Sequence, residues 1–315
     1  MAHVPLVSQK RRLWRMSAVL VEEGIDKGAV WHFGQPNHEQ RALYEGTAWA
    51  DLSHRAVITV AGEDRLKWLH DLTTQHLLEL PALSWTTALI LDPQGHVEHQ
   101  LFLVDDGTTS WIHTEAERAP SLVDYLNKMK FMLRVDVMDR TNEFAVMRAP
   151  GKPDAMGGPY ALISRNDVAD TTAAWSENNM QIGTWALEAE RIAAGRPRIG
   201  LDMDYKSIPN ELGLLNTSVH MQKGCYRGQE TVAKVFNLGQ PPRRLTLLHL
   251  DGSMVDLPAH GAPVELDGKE VGFIGSVARH YELGPIALAL IKRNVAVGAV
   301  LTAAGIPASQ ELLNK

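Results

Sequence analysis

Beyond Arg244 the sequence breaks into short apolar runs separated by Asp251-Gly252, His260-Gly261, Asp267-Gly268 and Leu283-Gly284. Strand-length segments punctuated by tight glycine turns are the pattern of a small all-β barrel, and no helix of ordinary length fits between such breaks. A C-terminal β-barrel domain is therefore expected over residues 242-315.

The preceding region, 1-241, mixes the two periodicities. Ala56 to Val60 reads as a strand, and Leu66, Leu69, Leu72, Leu77 and Leu80 recur near helical spacing, which predicts a helix ending before Pro81. Thr86 to Asp92, His96 to Val104 and Ser110 to Thr114 then read as an antiparallel meander, turning at Pro93-Gln94-Gly95 and Asp105-Asp106-Gly107. A helix is expected over Ser121 to Met132, strands over Leu133 to Met138 and Glu143 to Arg148, and a loop over 149-160, rich in proline and glycine. A short helix from Asp167 and a longer one from Thr184 to Ala194, stopped by Gly195 and Pro197, complete an α+β region.

At 315 residues and 45% hydrophobic composition the chain can bury a sizeable core in two or three subdomains. Its net charge of -6 gives no general attraction to nucleic acid or to anionic membranes. No apolar run approaches the roughly 20 residues that span a bilayer. The cationic Lys10-Arg11-Arg12 follows Met1-Ala2-His3-Val4-Pro5 without an apolar segment or cleavage site of the secretory kind, so a cytoplasmic location is expected. The eight tryptophans, Trp14, Trp31, Trp49, Trp68, Trp85, Trp111, Trp175 and Trp185, are scattered, which is the distribution of packing residues.

The one cysteine, Cys225, excludes an internal disulfide and a multi-cysteine metal cage, and no metal site is expected. It sits in Lys223-Gly224-Cys225-Tyr226-Arg227-Gly228-Gln229-Glu230. Two glycines beside a thiol free the backbone and let a ligand come close. Lys223 and Arg227 lie two residues either side of Cys225, so an extended segment would set both cations on the thiol's face and favour thiolate, whereas apolar burial would do the reverse. From Lys223 to Arg244 five cations (Lys223, Arg227, Lys234, Arg243 and Arg244) face one acid, Glu230. That excess reads either as a solvated charged face or as a dock for an anionic small molecule. His96 and His99 invite comparison with a metal pair, but an odd separation on a strand places them on opposite faces.

The octapeptide is similar to the Lys-Gly-Cys-Tyr-x-Gly-Gln-Glu signature of the YgfZ family of folate-binding proteins. Arg191-Ile192 to Pro197 and Pro209-Asn210-Glu211-Leu212-Gly213-Leu214 resemble runs shared by that family and the glycine-cleavage T-proteins, and Asp51-Leu52-Ser53-His54 resembles an N-terminal T-protein motif. The resemblance implies T-protein-like α+β subdomains, two of them intertwined, around a central channel that holds tetrahydrofolate or a one-carbon derivative, with the β-barrel at the C-terminus. It implies support of iron-sulfur cluster assembly or repair, with iron-sulfur client proteins, tRNA-modifying enzymes among them, as partners, and no direct contact with nucleic acid or membrane. Cys225, Lys223 and Arg227 would then form the reactive edge of the channel. Gly224, Tyr226, Gly228, Gln229, Glu230, Gln100, Arg191 and Glu211 would be its cofactor-binding residues.

The alternative is a folate-dependent aminomethyltransferase. The T-proteins' Gly-Gly-x-x-Asp-Asp-Leu turn, which carries their carboxylate, is here Gly95-His96-Val97-Glu98-His99-Gln100-Leu101, and their glutamate in Arg-x-Glu-Ala-Gly is here Ala193. Both departures weigh against transfer, although His99 or Glu98 could carry a proton. A non-catalytic interaction module on the same scaffold is the third reading.

Overall fold

The computed structural model describes residues 18–313, so the Lys10-Arg11-Arg12 run and Trp14 lie outside the described residues. Two larger sheets, a two-stranded ribbon of Val19–Leu20 with Val30–His32, and a barrel organise the described residues. A five-stranded sheet has the spatial order Thr86–Leu91, Val97–Asp105, Thr109–Thr114, Ala56–Ala61 and Asp136–Asp139, all antiparallel. The expected meander forms three of these strands because both of its turns contain a glycine at positive φ, Gly95 (89°) and Gly107 (96°). A four-stranded sheet runs Tyr160–Ser164, Phe144–Arg148, Ala48–Asp51 and Met180–Ile182.

Six helices cover these sheets: α1 (Pro36–Glu45), α2 (Arg65–Leu72), α3 (Ala119–Met129), α4 (Val168–Ser176), α5 (Thr184–Ala193) and α6 (Gln229–Leu238). Helices α2 and α3 lay Trp68, Leu69, Leu122 and Leu126 on Ile58, Val60, Leu101, Leu103 and Ile112, giving one closed core. Helix α1, which the apolar spacing does not announce, is bracketed by Pro36 in its first turn and by Gly46 at φ 82°, whose N–H bonds back to Ala42 and Leu43.

The helix expected up to Leu80 stops at Leu72. The Thr73 backbone N–H and hydroxyl both donate to the Leu69 carbonyl and close its last turn. Leu77 is fully buried in the core from a loop, so its place in the apolar rhythm reflects burial and not helix.

The C-terminal barrel is closed and six-stranded: Arg243–Leu250, Gly284–Lys292, Lys269–His280, Pro263–Leu266, Leu301–Ala303 and Ile306–Leu312, which pairs back onto the first strand. Closure leaves no free sheet edge. The barrel docks through an apolar face, with Leu245, Leu247, Ile286 and Leu288 against Ala189 and Ile192 of α5, and through charge. Arg243 grips Glu211 (2.8 and 2.9 Å) and Asp204 (2.6 and 3.1 Å), and the Ser276 N–H donates to Asp202 at 2.9 Å.

Candidate functional site

A cavity of about 380 Å3 lies between the two sheets and α5, within the ~300–1,000 Å3 typical of small-molecule sites. One wall is aromatic. Trp85 and Phe102 each meet Tyr160 edge to face, at 5.7 and 5.6 Å between centroids, and His113 stacks on Phe102 at 4.7 Å. Burial holds the His113 imidazole far below its usual pKa, so it is a neutral ring behind that wall.

The cavity is also lined by Arg55, Arg148, Arg191, Arg196 and Arg198 against Asp26, Glu188 and Glu190, with Arg55 lying over the Phe102 ring at 5.2 Å. Arg198 is the hub. Its five N–H groups are all used: two on Glu115 (2.8 and 3.0 Å), two on Asp26 (2.6 and 2.8 Å) and one on Glu188 (3.1 Å). Burial pushes the Asp26, Glu115 and Glu188 carboxyls up, but the guanidinium groups beside them win. Arg198 with His54 holds Asp26 low, Arg55 with Arg198 holds Glu115, and Arg191 with Arg198 holds Glu188.

Arg148 is the exception. It is fully buried and has no carboxylate at ion-pair distance among the described residues. Its Nη atoms donate to the carbonyls of Ala48 (3.2 Å), Ala149 (2.6 Å) and Gly158 (3.1 Å), and burial pushes its pKa down. The Nε atoms of Arg148 and Arg55 are buried without a hydrogen-bond partner.

Gln100 and Arg191 line this cavity; the other expected site residues do not. Gln100 is held at both ends of its amide, Nε2 donating to the Pro197 carbonyl (3.2 Å) and Oε1 accepting from the Ile199 N–H (3.0 Å). Arg191 is committed to Glu188 (2.7 and 3.0 Å), Asp202 (2.6 Å) and the hydroxyl of Ser276 (2.5 Å). Glu211 lies apart from the cavity, where it anchors Arg243 of the barrel.

The octapeptide occupies a different face. Cys225 is exposed, and Gly224 has no atom within 4 Å of where a Cβ would stand. The two flanking cations turn away to other partners. Buried Lys223 donates its ammonium to the carbonyls of His70, Thr73 and Gln75 at the end of α2, and burial lowers its pKa to about 8. Arg227 bonds Glu98 (3.0 Å) and lies over the Tyr125 ring at 5.5 Å. Tyr226 is buried in the core with Leu212, Leu214 and Val232, and burial lifts its pKa to about 12.

Gly228, at φ 80°, comes so close to the Asp92–His96 turn that a Cβ would stand 2.5 Å from the Asp92 carbonyl oxygen. Its glycine is required by packing. Gln229 and Glu230 open α6, the first half-buried and the second exposed.

The cationic cluster expected from Lys223 to Arg244 is thus dispersed. Lys223, Arg227 and Arg243 are spent as above, Arg244 bonds three barrel carbonyls and Gln310, and Lys234 alone is exposed and makes no ion pair among the described residues. His99 does not titrate near neutrality either: burial, helped by Arg118 and Arg227, lowers its pKa to about 4. His96 sits in the turn before the strand, bonded to Asp92 at 2.8 Å.

Sequence reasoning passed over Trp85, Phe102, Tyr160, Arg55, Arg148 and Arg198, all of them cavity-lining. Only the Arg196-Pro197-Arg198 run just past the α5 stop offered a signal, cations where the chain has left regular structure. The aromatic residues carry none, because packing and ligand-lining aromatics look alike in a sequence.

The fold is that of the glycine-cleavage aminomethyltransferases. The solved structure of aminomethyltransferase T of the glycine cleavage system from Bartonella henselae matches with a TM-score of 0.79, over 94% of this chain and 93% of that one, at 14% identity. In sequence the chain is 26% identical to a chloroplastic candidate transferase of Arabidopsis thaliana, over 88% of this chain and 73% of that protein. It is 25% identical to a mitochondrial homolog of the iron-sulfur cluster assembly factor IBA57 from Mycosarcoma maydis, over 69% of this chain and 61% of that protein. An aminomethyltransferase of Geobacillus kaustophilus is 25% identical, over 84% of each chain. No protein-family profile matches the sequence.

Proposed function

We propose that the chain is a cytoplasmic tetrahydrofolate-binding accessory protein that supports iron-sulfur cluster assembly or repair, tRNA-modifying iron-sulfur enzymes being among its clients. The observation that carries this reading over aminomethyl transfer is Gln100. It stands where the T-protein motif has a carboxylate, and both ends of its amide are tied to backbone. An amide so held accepts no proton. The cavity's own carboxylates are no substitute: Asp26 and Glu188 are held ionised by arginine and are weak bases at neutral pH, and Glu190 is paired with Arg196.

The cavity suits a folate on physical grounds. Trp85, Phe102 and Tyr160 offer faces and edges to a flat heterocycle. Tetrahydrofolate, when bound, carries the one-carbon unit. The thiol of Cys225 faces solvent and not this cavity, so it serves a partner. One thiolate cannot satisfy a cluster that needs four ligands, so it bridges to thiols of the client. Lys223 and Arg227 act as anchors that pin the loop to α2 and to Glu98. The likeness to an iron-sulfur assembly factor supports this role.

The test is rescue of iron-sulfur tRNA-modifying enzymes in cells lacking the protein, alongside calorimetry with tetrahydrofolate. Wild type should rescue and Cys225→Ser should not. Equal rescue would remove the thiol from the function. Failure of both, together with folate-dependent ammonia release from a loaded lipoyl carrier protein, would establish the aminomethyltransferase. Absence of tetrahydrofolate binding would leave a non-catalytic interaction module.

A further inference from the structure

A second hollow, about 320 Å3, backs onto the central cavity and shares two residues with it, Trp85 and Tyr160. These two rings form the partition. The outer side is completed by Trp111 and Phe144, themselves edge to face at 4.8 Å between centroids, and by Leu162.

The charges on the two sides differ. The inner cavity carries five arginines and three carboxylates, whereas among the described residues the only charged one lining the outer groove is Asp106. That carboxylate accepts from Trp111 Nε1 (2.8 Å), from the Thr108 N–H (2.8 Å) and hydroxyl (2.7 Å), and from the Thr109 N–H (2.7 Å). Burial pushes its pKa up more than any one donor lowers it, but the four donors together outweigh that push and hold the carboxyl well below its usual value. It makes no ion pair among the described residues, although Arg65 lies within electrostatic reach, and its carboxylate lines the groove. Arg140 already lies over Phe144 at 5.5 Å, which leaves Trp85, Trp111 and Tyr160 for an incoming group.

We propose that this groove binds a small organic cation, a quaternary or methylated ammonium group, held by the electron-rich rings of Trp85, Trp111 and Tyr160 beside the carboxylate of Asp106. Aromatic rings attract such cations through their quadrupole, and a methylated ammonium sheds its water more readily than a primary one. An anionic ligand is disfavoured in the groove by Asp106.

Calorimetry on the full chain decides, with choline as the probe and the uncharged isostere 3,3-dimethyl-1-butanol as its comparison. Choline should bind saturably and about tenfold tighter than the alcohol. Asp106→Asn, which lies outside the central cavity and keeps an acceptor oxygen for the Thr108–Thr109 turn, should weaken choline several-fold and leave the alcohol unchanged. Equal binding of the two probes by the wild-type chain would overturn the proposal, and that comparison needs no variant to fold. So would no choline binding at tens of millimolar, or choline binding indifferent to Asp106→Asn.

Discussion

Replacing Arg198 with methionine would remove the cation on which buried Glu115 and partly buried Asp26 and Glu188 converge while keeping most of the side chain's stem. Five charge-assisted hydrogen bonds of 2.6–3.1 Å are lost. Each carboxylate keeps one other partner: Asp26 keeps His54, Glu115 keeps Arg55 and Glu188 keeps Arg191. The loss is therefore that of one broken buried network and not of five independent bonds, about 3–5 kcal/mol at neutral pH.

The pH dependence follows from the three depressed carboxyls. In the wild type their stabilisation is present above the unfolded carboxyl pKa near 4 and is lost as pH falls through their lower folded values. Without Arg198 the largest remaining influence is burial, which raises them, so the variant is penalised most where the carboxyls must be charged. Urea denaturation at neutral pH and near pH 4.5 should show the deficit shrinking to less than about half at the acid end. A deficit equal at both pH values, or larger in acid, would refute the network as the source of the loss.

Gly228→Ala forces a Cβ to within 2.5 Å of the Asp92 carbonyl oxygen at φ 80°, and thermal melts should show a loss of about 2–3 kcal/mol. Gly224→Ala, with nothing within 4 Å, should leave the melt unchanged to about 0.5 kcal/mol, so any effect of it on client rescue reports a partner approaching the loop. Lys223 has a folded pKa lowered to about 8, so the unfolded chain binds more protons above that value and stability should rise with pH there. Between pH 8 and 10 the wild type should gain on Lys223→Met by on the order of 1–3 kcal/mol in urea titrations, and parallel curves would contradict the buried amine. Cys225 should react with an aromatic disulfide reagent in the native state without denaturant, as an exposed thiol does.

The barrel was legible because its information is local: glycine turns at strand intervals admit few other folds. The meander from Thr86 to Thr114 was legible for the same reason, and the α5 stop at Gly195 is a local signal too. Helix α2 was overdrawn because burial, not helical geometry, put Leu77 in the apolar rhythm.

The octapeptide drew attention to itself by composition, but what each of its residues does depends on distant chain. Gly228 answers to the Asp92–His96 turn, Lys223 to carbonyls some 150 residues earlier, and Arg227 to Glu98. The central cavity is more hidden still, because its wall joins residues from Asp26 to Ser218 and is spelled by no contiguous segment. Periodicity, turn chemistry and the single cysteine are properties of neighbours along the chain, and the sequence by itself determines them. Which arginine loses its carboxylate, which aromatic ring faces a cavity and which cation reaches the thiol are decided only when remote segments meet, because burial and charge pairing are properties of the packed structure.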